Sequence, residues 1–139
     1  MQYILVDTGI WLAMFDRRDQ HQARLEEVAE YLEIYDLVLP WPTLYETLRT
    51  RLSKNRRALQ QFELYLKRPN ITFLDDEPYR AAALDLCFSS ALQWYRPLSM
   101  VDCLIRLILE DVNVKVSALA TFNERDFIDI CQKRKVEII

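Results

Sequence analysis

Near the N-terminus the run Tyr3-Ile4-Leu5-Val6 passes without a polar interruption into Asp7-Thr8-Gly9, and Gly9 is the only glycine in the chain. An apolar run this short and unbroken predicts a strand buried on both faces. Strands of that kind belong to parallel sheets with helices on each side. The acid that ends the run then lies outside the carboxyl edge of the sheet, where open α/β folds bind their ligands. Asp7 equally suits the cap of a following helix, and the run alone does not separate the two readings.

The pattern repeats along the chain. Helices are predicted over residues 10–15, 21–35, 43–52, 55–67, 79–94, 99–110 and 124–132, and further strands over 37–40, 71–74, 114–121 and 136–139. Residues 21–35 set Ala23, Val28, Leu32 and Tyr35 inward among glutamates, and residues 79–94 set Ala81, Leu84, Phe88 and Leu92 inward. Pro40-Trp41-Pro42 is read as the stop of the second strand. Residues 99–110 form the most apolar helix, so it belongs near the centre. Strands alternating with helices imply a mainly parallel sheet covered on both faces. With 139 residues and no linker or repeat, residues 1–139 are expected to form a single domain. Receiver-like and nucleotide-binding domains share this alternation, so it does not decide function.

Composition removes several classes. A net charge of −3 excludes a polycation held to nucleic acid by bulk charge, so such contacts need a local basic patch. Cys87, Cys103 and Cys131 are odd in number and lack C-x-x-C spacing. They read as reduced, buried thiols of a cytoplasmic protein and argue against structural zinc. No apolar run reaches membrane-spanning length, and no signal-like N-terminus is present. A single glycine rules out phosphate-binding loops and dinucleotide fingerprints. A single histidine, His21, and no G-x-S-x-G argue against a serine hydrolase. His21 reads as a surface or capping residue. Trp11, Trp41 and Trp94 read as core or interface anchors rather than base-stacking platforms.

Three acids share one local setting: Thr43-x-x-Glu46, Ser99-x-x-Asp102 and Asn123-x-x-Asp126. Taken singly, each describes a helix cap worth about 1 kcal/mol, with the acid favoured by the helix dipole. Taken together they say more. Asp7, Glu46 and Asp126 each follow a predicted strand by a few residues, so parallel strands would gather them at one edge. Asp102 begins the helix expected against that sheet. Converging carboxylates repel unless a cation neutralises them or some are protonated. Oxygen-only ligands select hard ions such as Mg2+ or Mn2+, and ions so held support phosphodiester hydrolysis by an activated water.

Val6-Asp7-Thr8-Gly9, Glu46 in Leu-Tyr-Glu-Thr-Leu, Asp102 in Ser-Met-Val-Asp-Cys-Leu-Ile, and Thr121-Phe-Asn-Glu-Arg-Asp126-Phe127 resemble the ordered motifs of PIN-domain ribonucleases. The resemblance is strongest to VapC-type toxins of toxin–antitoxin pairs, and Asp16-Arg-Arg-Asp19-Gln-His21 is similar to the linker those proteins carry. It covers essentially the whole chain. It implies a PIN-like three-layer α/β/α fold with a mainly parallel central sheet, and a Mg2+- or Mn2+-dependent endoribonuclease. Asp7, Glu46, Asp102 and Asp126 would be catalytic, Asp7 and Asp102 the metal ligands, and Thr8 and Asn123 supporting residues. It also implies an RNA substrate, a homodimer and a cognate antitoxin. Many family members carry Asp where this chain has Asn123. The lost charge weakens a second metal position, so one firmly held ion is expected.

Arg49, Arg51, Lys54, Arg56 and Arg57 fall within nine residues, with no acid between Glu46 and Glu63. The stretch is either a solvated helical hairpin, a track for RNA phosphates, or a dock for an acidic antitoxin segment. Arg17 and Arg18 would add to either binding role. Two other readings stand beside the nuclease. One is a non-cleaving module of the same fold, which Asn123 favours. The other is a Mg2+ phosphatase, opposed by Gly9 where the haloacid-dehalogenase type needs a second Asp.

Overall fold

A computed structural model describes residues 3–15 and 22–139 of the chain. In chain order, β1 (Tyr3–Val6), α1 (Thr8–Phe15), α2 (Gln22–Ile34), β2 (Asp36–Pro40), α3 (Trp41–Leu48), α4 (Arg56–Leu66) and β3 (Ile71–Leu74) form the first part. There follow α5 (Arg80–Leu92), α6 (Met100–Glu110), β4 (Ala118–Ala120), α7 (Ile128–Arg134) and β5 (Glu137–Ile138). Short 3-10 turns occupy Arg51–Lys54, Glu77–Tyr79 and Glu124–Asp126.

The strands pair in the order β3-β2-β1-β4-β5, and every pairing is parallel. The register sets Leu5 beside Val38 on one side and Leu119 on the other. Because side chains alternate across a strand, β1 serves two cores. Ile4 and Val6 join Leu37, Leu39, Ala118 and Ala120 under α1 to α4. Leu5 joins Val38 and Leu119 under α6 and α7. These two clusters make the expected three-layer α/β/α arrangement. The chain leaves β1 toward β2 and later returns to pair β4 on its other side. The carboxyl end of β1 is therefore the topological switch point, where α/β sheets open a crevice.

Two expectations about the elements are corrected. Strand 114–121 shrinks to Ala118–Ala120, because Val114 and Val116 pack onto the second core without entering the ladder. The second strand does stop at Pro40, as expected, and Pro42 lies in the first turn of α3, where its missing N–H is no loss. Helix α5 presents the opposite face from the one expected. Ala83 and Ser90 are buried, whereas Ala81, Leu84, Phe88 and Leu92 are exposed. The reason is that α5 packs on α6, not on the sheet, through Ala83, Leu98, Cys103 and Leu104. Small residues permit that close helix contact, and the large apolar ones are left outside. Of the tryptophans, Trp11 is fully buried, but Trp41 is 41% and Trp94 54% exposed, so neither of those is a core anchor. Of the thiols, Cys103 and Cys131 are buried and Cys87 partly so, and all are free.

Helix α7 ends in a Schellman motif. Val136 N–H donates to the Cys131 carbonyl at 2.9 Å, and Lys135 N–H donates to that of Gln132 at 3.3 Å. The motif needs a left-handed residue, and Lys135 adopts φ 57° there. A lysine in that region is strained where glycine is not. Lys135→Gly is expected to raise stability by about 0.5–1 kcal/mol, seen as a melting-temperature rise of about 2–4 °C. An unchanged or lower melting point would overturn that account.

Candidate functional site

Asp7 follows the last residue of β1, and its N–H still pairs with the Ala120 carbonyl of β4 at 3.0 Å. Its side chain is therefore fixed at the switch point and only 8% exposed. One carboxylate oxygen accepts the Thr8 N–H at 2.8 Å. The other accepts the hydroxyl of Thr121, the residue just after β4, at 2.9 Å. Burial pushes the Asp7 carboxyl above its ordinary value; the Thr121 and Thr8 hydrogen bonds oppose that rise, and the charges of Glu46 and Asp126 add to it. The Thr8 hydroxyl donates to the Thr43 carbonyl at a long 3.4 Å, so it ties α1 to α3.

Asp102 stands in the first turn of α6. Ser99 caps that helix by accepting the Asp102 N–H at 3.0 Å, which matches the capping triad read from sequence. Burial, and next the charge of Asp7, push the Asp102 carboxyl up to about 6 against the Ser99 hydrogen bond; Asp126 and Glu46 push it further the same way. Glu46 lies on the cleft side of α3. Thr43 is not its cap: the threonine is inside the helix, and its buried hydroxyl donates to the Pro40 carbonyl at 2.7 Å.

A cleft of about 520 Å³ opens between these elements. Asp7, Glu46 and Asp102 line it, with Thr8, Ser99 and Asn123 among its other walls. Gly9 also lines it, and a methyl group there would meet the Phe122 ring at an ordinary 3.7 Å, so space alone does not demand glycine.

Asp126 is not among the lining residues. It sits in the 3-10 turn after β4, and its carboxylate is already engaged by the Asn123 side-chain amide and by Arg96 at 3.0 Å. Asn123 does not cap that turn with its side chain. Its amide nitrogen is spent on Asp126, which leaves its carbonyl oxygen as an acceptor. The structure thus brings Asp7, Glu46, Asp102, Thr8 and Asn123 to one cleft and keeps Asp126 at its rim.

Arg49, Arg51, Lys54, Arg56 and Arg57 are all exposed, on the segment from the end of α3 to the start of α4. Leu52, buried beneath them, anchors the segment to the core. His21, Arg17 and Arg18 lie outside the described residues. Sequence reasoning assigned no role to Thr121 or Arg96. Thr121 had one usable signal: it ends β4 as Asp7 ends β1, and those strands are neighbours.

The donor chemistry fits a hard divalent ion. The cleft offers carboxylate, hydroxyl and amide oxygens, and two of its carboxyls are held above their ordinary values by burial and mutual repulsion. A cation relieves both costs. Among the described residues, no three His, Cys, Asp or Glu side chains form a group that could hold an ion directly. Of the cleft's acids, Asp7 is buried and Asp102 half-buried.

In fold the chain is similar to VapC20 of Mycobacterium tuberculosis, a sarcin–ricin loop cleaving toxin, with a TM-score of 0.67 and 14% identity over 91% of this chain and 94% of that one. It is also similar to FitAcB from Neisseria gonorrhoeae, with a TM-score of 0.61 and 19% identity over 98% and 96% of the two chains. At such identities the likeness speaks to fold alone. No curated protein matches the chain significantly in sequence. The family model described as PIN domain matches residues 4–133, a span that holds every acid of the cleft. The chain belongs to the PIN domain family.

Proposed function

We propose that this PIN domain is a Mg2+- or Mn2+-dependent endoribonuclease, the toxin of a VapC-type toxin–antitoxin pair. The observation that carries the reading is the buried Asp7 at the switch point, sharing a cleft with Asp102 and Glu46. VapC20, similar in fold, is a toxin that cleaves the sarcin–ricin loop. Residues 1–139 are read as one such domain.

Asp7 and Asp102 would hold the ion. When bound, the ion lowers the pKa of a water and offsets charge developing on the phosphate. Thr121 and Thr8 keep both oxygens of Asp7 in one orientation, so ligand geometry is set before binding. Glu46, in the same cleft, would serve as the base that accepts a proton from the attacking water. Asn123 lends a neutral oxygen, and Asp126 acts from the rim on the orientation of that water. The cations Arg49, Arg51, Lys54, Arg56 and Arg57 are the phosphate track that an acidic chain otherwise lacks, or the dock of the antitoxin's acidic segment.

The homodimer has a candidate face. Leu84, Phe88 and Leu92 recur every four residues along α5 and are 49%, 58% and 72% exposed. A large apolar stripe of that kind marks an association surface, and a second copy is the occupant the family resemblance implies. No helix among the described residues is long and apolar enough to cross a membrane. The free thiols suit a reducing, cytoplasmic compartment.

A second reading, a non-cleaving module, is favoured by Asn123 and by the engagement of Asp126 with Arg96. Titration calorimetry with Mn2+ separates the two, since such a module has no need of the ion.

Asp7→Asn should cut RNA cleavage by at least about 100-fold while the fold persists. Retained cleavage in a correctly folded variant excludes Asp7 as a ligand. Asp102 generates a pH prediction. Its folded value of about 6 lies above the ordinary 3.8, so the folded state holds this proton more tightly than the unfolded one. Its contribution is complete below pH 3.8 and is lost as pH rises to about 6. In chelator, the melting temperature should fall across that window, and Asp102→Asn should flatten the fall. A wild-type profile without that fall refutes the assignment. For the dimer, Phe88→Asp should shift sedimentation from dimer to monomer without unfolding. A wild-type monomer, or a variant that stays dimeric, removes this face from consideration.

A further inference from the structure

Arg96 lies in the connection between α5 and α6, and its guanidinium crosses to the turn after β4. One of its nitrogens, Nη2, donates to the Arg125 carbonyl at 2.6 Å and to the Asp126 carboxylate at 3.0 Å. The pair is 47% exposed on the arginine side and 22% on the aspartate side, so it borders solvent at the cleft rim. The charge of Asp126 is felt by both Asp7 and Asp102.

The connection is built to deliver this side chain. Ser90, fully buried on α5, is its brace. The Ser90 hydroxyl donates to the Cys87 carbonyl at 2.9 Å and accepts the Leu98 N–H at 3.0 Å. The Ser90 carbonyl accepts the Arg96 N–H at 2.9 Å. The chain reverses through Tyr95, held at φ 55°, a left-handed conformation that is strained for a tyrosine. A buried serine and a strained residue thus fix the direction in which Arg96 leaves the backbone.

We propose that Arg96 is a positioning residue of the site: it fixes Asp126 at the rim and offsets part of its charge, leaving Asp7, Asp102 and Glu46 as the inner set that meets the ion. This rests on the nuclease reading above. Arg96 touches neither the ion nor the reacting phosphate in this role; it acts through Asp126. The Arg96–Asp126 pair is neutral as a unit. Removing the cation alone leaves one extra negative charge near the cleft, and removing the acid alone leaves one extra positive charge.

The test is a cycle of R96Q, D126N and R96Q/D126N in the full chain, with Mn2+ calorimetry, cleavage kinetics and amide resonances of the ion-free protein. R96Q should tighten Mn2+ about five-fold while lowering kcat about tenfold or more, with KM less affected. D126N should weaken Mn2+, and R96Q/D126N should return it close to the wild-type affinity. In cleavage, the double variant should be no slower than D126N alone, because the arginine acts through the acid. R96K, which keeps the charge, should recover part of the lost kcat. The amide resonances of Asn123 and Asp126 should move in R96Q without ion or RNA present. Additive losses of kcat in the double variant overturn the proposal, since Arg96 would then act on the substrate directly. So do unmoved resonances in R96Q. A wild-type chain that binds no Mn2+ defeats the nuclease reading separately, and the resonances still decide whether Arg96 fixes Asp126.

Discussion

A carboxylate buried at the end of the central strand is the constraint around which this chain is arranged. Moving an ionised carboxyl out of water costs several kcal/mol unless hydrogen bonds or an opposite charge offset it. Asp7 receives two hydrogen bonds, from Thr8 and Thr121, and no basic side chain is seen among its interactions within the described residues. The offset is incomplete, which is why its carboxyl stays above the ordinary range. A position that is costly in the protein alone would become favourable beside a cation, as the proposed function requires. The sheet order follows the same logic. β1 lies where the strand order switches sides, so its carboxyl end delivers Asp7 to the crevice between the two halves of the sheet.

Helix capping and chemistry are not alternatives at this site. Ser99 caps α6 by accepting the Asp102 N–H, and that bond orients the backbone from which the Asp102 side chain enters the cleft. A residue near a helix start sits close to positive dipole ends, which favour a negative side chain. The same local feature therefore stabilises the helix and presents the acid. The other two triads do not behave this way. Thr43 is swallowed into α3 because Pro42 lets that helix start earlier, and Asn123 turns its amide to Asp126 instead of to the backbone.

What was legible in the sequence was local. The apolar run of β1, the strand–helix alternation and the Ser99 cap each rest on residues within a few positions of one another. The layered fold follows from them. What was hidden depends on partners far apart in the chain. Thr121 reaches Asp7 across 114 positions, and Arg96 reaches Asp126 across 30. Helix α5 shows a subtler failure. Its apolar periodicity is real, but periodicity tells which residues share a face, not what covers that face. Because α5 lies on α6 through small residues, the large ones point away from the core.

The rim and the interior of the cleft are built on opposite principles. At the rim Asp126 and Asp129 are each paired with an arginine. Arg96 pairs with Asp126, and Arg106 of α6 takes both oxygens of Asp129 at 2.7 and 2.8 Å while also donating to the Asp126 carbonyl. The Arg106 hydrogen bonds hold the Asp129 carboxyl down at about 2, the reverse of what happens to Asp102. Asp126 is thereby gripped through its side chain from one connection and through its backbone from a helix. Inside, the acids repel and stay under-compensated. A rigid, neutral frame around a strained acidic interior has a physical consequence. A cation bound there, as the proposed function requires, would act on the inner carboxylates while the paired rim stays in place. Preorganisation of that kind is what a metal-assisted hydrolase needs.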